Sequence, residues 1–171
     1  MVDDEALRDL YEGCYGRLVG QVYAVTGDHA AAQDAVQEAF VRAFTSRRLE
    51  GVDNPEAWLR TTALNAARSR WRRLRRLDVL LGVGRESRPV DTRVPGMSPE
   101  RVALIAALRT LPVRQREAIV LHHIADQPVA EVAAALGVPV GTVKAWLARG
   151  RSRLAELLSD DEDAMTEVGH D

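Results

Sequence analysis

Apolar residues recur every three or four positions along most of this chain, the spacing of helices with one buried side. Leu7, Leu10, Cys14 and Leu18, with Tyr11 and Val22 beside them, predict a first helix over about 4–25. Gly27 ends it, and Asp28 is placed to cap the next. In that second helix Ala32, Ala35, Val36, Ala39, Phe40, Ala43 and Phe44 form one apolar stripe. Asp34, Gln37, Glu38 and Val41 fall on the other side. Asn54, Pro55 and Glu56 supply a cap, a proline for the first turn and an acid for its dipole, which starts a third helix reaching roughly to Arg76. There Leu59, Ala63 and Ala66 face inward, and Thr61, Asn65, Arg68 and Arg72 outward.

The periodicity breaks over 77–97, where Gly82, Gly84, Pro89, Pro95 and Gly96 predict a linker with an apolar opening, Leu77 to Val83. Ser98-Pro99-Glu100 restarts it, and helices are expected at about 99–109, 113–123, 128–136 and 140–158. No segment reads as a strand. The expected fold is all-α: two small helical domains joined by a flexible linker, the second with a helix-turn-helix. Val129, Val132, Ala133 and Leu136 make the first helix of that motif, and Gly137-Val138-Pro139 its turn. Val143, Leu147, Gly150, Leu154 and Leu158 are the inward stripe of the second helix. The expected domains are 1–76, the linker 77–97, 98–158, and a tail 159–171.

Charge changes this picture more than composition does. The 171 residues carry a net charge of −2, which looks unsuited to nucleic acid. The distribution is uneven, however. Residues 55–76 carry seven basic groups and one acid, and 140–158 four and one, whereas 1–54 carry five and ten. Two basic segments in an otherwise neutral or acidic chain are the footprint of phosphate binding. Arg68 to Arg76 holds six Arg in nine residues, more than a helix end needs for its dipole. Arginine outnumbers lysine 22 to one, a mark of a high-GC genome. The tail, with six acids and no base, is expected to be disordered, either as a solubilising end or as a competitor of phosphate for Lys144, Arg149, Arg151 and Arg153.

The chain offers no Gly-rich phosphate loop and no catalytic constellation, so an enzyme is not expected, nor a cofactor or metal. His122 and His123 are adjacent on a helix, about 100° apart, and make a poor metal pair. Cys14 is the single cysteine, no apolar run approaches a membrane span, and the acidic start lacks an apolar signal core; a reducing cytoplasm is expected. Small and basic outward residues at the start of 140–158 suit close approach to a DNA groove. An ordinary helical hairpin with solvated basic groups would share that spacing.

Leu111-Pro112, Gln115-Arg116, Glu131-Val132-Ala133, Leu136-Gly137, Gly141-Thr142-Val143-Lys144 and Arg149-Gly150-Arg151 with Leu154 resemble the bacterial sigma-factor domain that reads the promoter −35 element. Asp34, Gln37, Glu38 and Phe40 resemble the sigma segment that docks on the polymerase largest subunit. Asn54-Pro55, Trp58-Leu59, Ala63, Asn65 and Arg72-Arg73 resemble the segment that recognises the −10 element. Together they identify the chain as similar to the extracytoplasmic-function type of sigma factor.

The resemblance implies a subunit that directs RNA polymerase core enzyme to promoters and melts the −10 element. Its partners would be core polymerase and promoter DNA, with an anti-sigma factor as a candidate third and no small-molecule substrate. It implies polymerase contacts at Asp34, Gln37, Glu38 and Val41. It implies −10 contacts at Arg47, Arg48, Asn65, Arg68, Trp71, Arg72 and Arg73, with a flipped base captured by the loop 46–53. The −35 contacts would be Gly141, Thr142, Lys144, Ala145, Trp146, Arg149 and Arg153. Ala145-Trp146-Leu147 stands where many members carry Ser-Arg-Leu, and Trp146 can meet a thymine methyl or pack on the domain flank. The other reading is a stand-alone DNA-binding regulator with 1–76 as a dimerisation or sensor domain; it would bind an operator alone, whereas a sigma factor would need core polymerase.

Overall fold

The computed structural model describes residues 4–83 and 90–167, with side chains to residue 159, and every regular element among them is helical. The chain divides into two compact units, Met1–Pro95 and Gly96–Asp171.

The first unit is a three-helix bundle of α1 (Asp4–Thr26), α2 (His29–Ser46) and α3 (Pro55–Leu81). Its core is Cys14, Leu18, Val22, Ala32, Val36, Ala39, Leu59 and Ala63, all buried. Caps set the helix starts. Asp28 accepts from the Ala31 N–H and Asn54 from the Ala57 N–H, each at 3.0 Å. The second half of α1 is enclosed on almost every side, with Gln21 to Val25 all buried. Phe44 departs from the expected α2 stripe: it is 58% exposed. It lies in the last turn of α2, beyond the reach of the core that covers Phe40.

Helix α3 outruns its expected end at Arg76 and closes at Leu81. Nothing between the two positions disfavours helix. Gly82 then takes the left-handed conformation at φ 64°, and Val83 N–H reaches back to the Asp78 carbonyl at 2.9 Å. The added turns are poorly covered, and Val79, Leu80 and Leu81 are exposed. The far side of the expected linker is tied down. Asp91 N–H donates to the Gly27 carbonyl at 3.0 Å, and the Tyr23 hydroxyl donates to the Asp91 carbonyl. Residues 84–89 of that linker lie outside the described residues.

The second unit contains α4 (Pro99–Arg109), α5 (Val113–Ile119), α6 (Val129–Leu136) and α7 (Val140–Glu167). A π-helical turn, Val120–Ile124, continues α5 in place of the unbroken α-helix that the spacing predicts. Its wider ring is closed by Ala125 N–H on the Val120 carbonyl at 2.9 Å. Arg116 fastens the α4–α5 corner by donating to the carbonyls of Leu108, Arg109 and Leu111 at 2.9, 3.2 and 2.9 Å. Two of these carbonyls belong to the last turn of α4 and the third to the corner that follows it. Burial pushes the Arg116 guanidinium down to about 10, which leaves it charged at neutral pH.

Helix α6 stops at Gly137, left-handed at φ 66°, and α7 starts after Pro139. Val132, Ala133, Leu136, Val143, Leu147 and Gly150 are buried, but Leu158 of the expected inward stripe is 61% exposed, because α7 runs past the unit's core. The helix continues to Glu167 rather than giving way to a disordered tail at Ser159. The stretch holds no Gly or Pro before Gly169, so nothing breaks it. Residues 168–171 of the expected tail lie outside the described residues. Gly150 lets α7 approach α5 closely, since a Cβ there would stand 3.0 Å from Ile119 Cγ1. Gly150→Val should therefore destabilise the second unit by about 1–3 kcal/mol through overpacking. Denaturant unfolding of the full chain measures this; an unchanged midpoint would refute the close approach.

Candidate protein and nucleic-acid interfaces

Three exposed surfaces gather the residues singled out in the sequence. The first is the outer side of α2. Asp34, Gln37, Glu38 and Val41 are all exposed, Val41 at 57%. Two further features were not legible in the sequence. Phe44 joins Leu7, Tyr11, Phe40 and Val41 around a hollow of about 450 Å³, rimmed by Asp4 and Arg8. Tyr11 stacks on Tyr15 at 4.6 Å between ring centres and meets Phe40 edge-on at 4.9 Å. Asp34 also accepts from Arg70 of α3 at 2.7 Å, so an acid of this surface touches the basic run. Neither the hollow nor the ion pair follows from the periodicity of one helix, because each needs two helices to be placed first.

The second surface is the loop 47–54 with the outer side of α3. Arg47 caps α2 in the left-handed conformation, φ 48°, and Arg48 is exposed beside it. Leu49 is buried and pins the loop to the bundle. Asn65 is exposed and accepts from Arg68 at 2.9 Å, so these two residues are paired. Arg72 and Arg73 are exposed. Trp71 is 53% exposed, with the Arg75 guanidinium 5.0 Å from its ring centre.

Under this surface lies a buried charge that the sequence pattern does not mark. Arg60 is 4% exposed. Its Nε donates to Gln21 Oε1 at 2.6 Å and its terminal nitrogen to Glu56 Oε1 at 3.1 Å. Glu56 in turn receives Arg17 on both oxygens at 2.8 Å. The bidentate Arg17–Glu56 pair joins α1 to the first turn of α3. A charge in a stripe of Leu and Ala gives no signal, because one of its acceptors comes from another helix.

The third surface is the start of α7. Gly141, Lys144, Arg149 and Arg153 are exposed, and Thr142, Ala145 and Trp146 are half-buried. Ala148, Arg149, Ser152, Arg153 and Glu156 line a shallow hollow of about 380 Å³, and Arg153 reaches Glu156 at 3.4 Å. Elsewhere the chemistry is quiet. His122 Nδ1 is held 2.8 Å from the Gln127 carbonyl, and burial, with His122 and Arg151 nearby, pushes His123 down from its ordinary value. Burial pushes the Cys14 thiol up. No cluster of three metal-ligating side chains exists among the described residues. No single described helix is long and apolar enough to cross a membrane.

The comparisons with known proteins fall on the same segments. Residues 10–77 match the family described as Sigma-70 region 2, and residues 101–154 match Sigma-70, region 4. The chain is 35% identical over 141 residues to the RNA polymerase sigma-E factor of Streptomyces coelicolor, covering 80% of this chain and 77% of that protein. It is 30% identical over 160 residues to the RNA polymerase sigma factor CarQ of Myxococcus xanthus, covering 92% of each. Among solved structures, the sigma factor RpoE of Bartonella quintana, in complex with the anti-sigma factor NepR, superposes with a TM-score of 0.79 at 26% identity, covering 89% of this chain and 96% of that one. CnrH in complex with the cytosolic domain of CnrY does so with 0.63 at 27%, covering 93% and 91%.

Acid should test the charge beneath the α3 surface. Hydrogen bonds from Arg17 hold the Glu56 carboxyl below its usual 4.5, against the opposing effect of burial. A carboxyl lowered by folding stabilises the native state above its ordinary value, and that stability is lost as pH falls toward the lowered one. Glu56→Gln should thus be less stable than the parent at neutral pH, and the gap should close as pH falls from 4.5 downward. Unfolding midpoints of both proteins across that range measure it. A gap that persists in acid would show that Glu56 acts by shape and not by charge.

Proposed function

The chain belongs to the sigma-70 family of RNA polymerase sigma factors, in its extracytoplasmic-function branch, and we propose from this how its three surfaces divide the work. As a sigma factor it brings polymerase core enzyme to specific promoters and initiates transcription there. The outer side of α2 is the polymerase contact. Asp34, Gln37 and Glu38 surround the exposed Val41, and the two carboxylates would repel phosphate, which suits a protein partner.

The loop with Arg47 and Arg48, and the α3 side with Asn65, Arg68, Trp71, Arg72 and Arg73, take the −10 element. The arginines hold the backbone, while Asn65 and Trp71 are the groups able to meet bases. Extracting a base from the stack costs a few kcal/mol. The loop 46–53 has no aromatic to stack on it, so polar and backbone groups must hold the base there. At the start of α7, Gly141, Thr142 and Ala145 permit close approach to the major groove at the −35 element. Lys144, Trp146, Arg149 and Arg153 supply its contacts. The observation that carries this reading is the placing of both basic segments on exposed helix sides of separate compact units, with the acidic side of α2 left for protein.

Polymerisation chemistry belongs to the core enzyme, and this subunit works by recognition, without a catalytic group or cofactor of its own. Its place of work is the cytoplasm. RpoE was solved in complex with the anti-sigma factor NepR and CnrH in complex with the cytosolic domain of CnrY, and an anti-sigma factor is the corresponding partner proposed here.

Replacing Asp34, Gln37 and Glu38 together by Ala should leave the fold intact, since all three are exposed, and weaken capture of core polymerase. Undiminished co-purification with core would remove the assignment of this surface. Arg149→Ala should lower −35 selectivity by roughly 1–3 kcal/mol if the side chain makes a bidentate base contact. Run-off transcription on promoters differing only at −35 measures that. An equal loss on every promoter would make Arg149 a phosphate contact instead.

A further inference from the structure

We propose that Arg60 is a positioning residue for −10 reading: with Gln21, Glu56 and Arg17 it locks the first turn of α3 against α1 and so sets where the −10 loop ends and which way the α3 reading surface faces. The inference rests on the assignment of loop 46–53 and α3 to the −10 element.

The loop itself is weakly determined. Between Ser46 and Asn54 only Leu49 is buried, and the internal hydrogen bonds are two turn contacts, Glu50 N–H to the Arg47 carbonyl and Val52 N–H to the Leu49 carbonyl, both at 3.2 Å. Its geometry is therefore inherited from its two ends. One end is the left-handed Arg47 that closes α2. The other is Asn54-Pro55-Glu56, where the Asn54 side chain caps α3 and Glu56 lies two residues on.

Glu56 is where the lock acts. Arg17 holds both its oxygens at 2.8 Å, and Arg60, one helical turn further along α3, shares Oε1 at 3.1 Å. Arg60 also takes Gln21 at 2.6 Å, one turn beyond Arg17 on α1. Two rungs thus connect α1 to α3 in register. Leucine and alanine packing alone tolerates small rotations and slides of a helix, whereas charged hydrogen bonds of fixed length do not. A rotation of α3 would carry Asn65, Arg68 and Arg72 with it, since they share its outer side. Where such a shift breaks a base contact of Asn65, discrimination should fall roughly fivefold or more.

The lock can be separated from mere stability because the −35 element is read by the other compact unit. A variant that only lowers the folded fraction reduces transcription from all promoters alike. Holoenzymes carrying the full-length Arg17→Met, Glu56→Gln or Arg60→Met chain would be assayed by run-off transcription. The promoters would carry single changes in either the −10 or the −35 element. The expected result is a loss of −10 discrimination of roughly fivefold with −35 discrimination unchanged. Arg17 is exposed, so its variant remains informative if Arg60→Met does not fold. Arg17→Lys, which keeps the charge, should restore part of the loss. Asn65→Ala on α3, which removes a group able to meet bases, is the reference. If Asn65→Ala alters −10 discrimination and the lock variants do not, the proposal is wrong and the −10 assignment stands. If neither alters it, the −10 assignment fails and takes the proposal with it. Equal loss at both elements would also overturn the lock, leaving a purely structural role.

Discussion

A guanidinium withdrawn from water must find acceptors for its fixed fan of N–H groups, because it cannot shed its charge at neutral pH. Both units of this protein are organised around that constraint. In the first, Arg60 joins α1 to α3 through Gln21 and Glu56. In the second, Arg116 donates to two carbonyls of the last turn of α4 and to one in the corner that leads into α5. Apolar packing supplies cohesion in such small bundles, but it is non-directional. The directional bonds of the two arginines add a fixed geometry at one helix junction in each unit, α1 with α3 and α4 with α5.

Function then occupies what the cores leave outside. On α2 the inner side is Ala, Val and Phe, and the outer side is acid, amide and an exposed valine. On α3 the inner side is Leu and Ala, and the outer side carries arginine at nearly every turn. On α7 the inner side needs a glycine to pass Ile119, and the outer side is small near its start and basic beyond. A net charge of −2 thus hides regions of opposite sign within the first unit alone.

Much of this was legible because it is local. The caps at Asp28, Asn54 and Ser98 each bond the N–H three residues on, an interaction set within one turn. The stripes of α2 and α7 follow from spacing for as long as a core lies against them, and fail at Phe44 and Leu158, where it ends. The π turn at Val120–Ile124 leaves no mark in periodicity over five residues. The extension of α3 to Leu81 is invisible to periodicity, since the apolar pattern ends before the helix does; propensity sustains the helix until Gly82 caps it. Arg60 and the Asp34–Arg70 pair were out of reach for a different reason. Each joins residues 36 or 39 apart in the chain.

That Asp34–Arg70 pair has a thermodynamic consequence. It neutralises one charge of the acidic side of α2 against one charge of the basic side of α3. Whatever takes Asp34 for itself releases the Arg70 cation to a polyanion, and whatever takes Arg70 releases the Asp34 anion. Two ligands that compete in this way for the halves of one ion pair help each other bind, by the same factor in either direction. The factor is small. An exposed pair of this kind is worth about 0.2–1 kcal/mol, at most roughly fivefold. It is also screened by salt, so this cooperativity would fade as ionic strength rises.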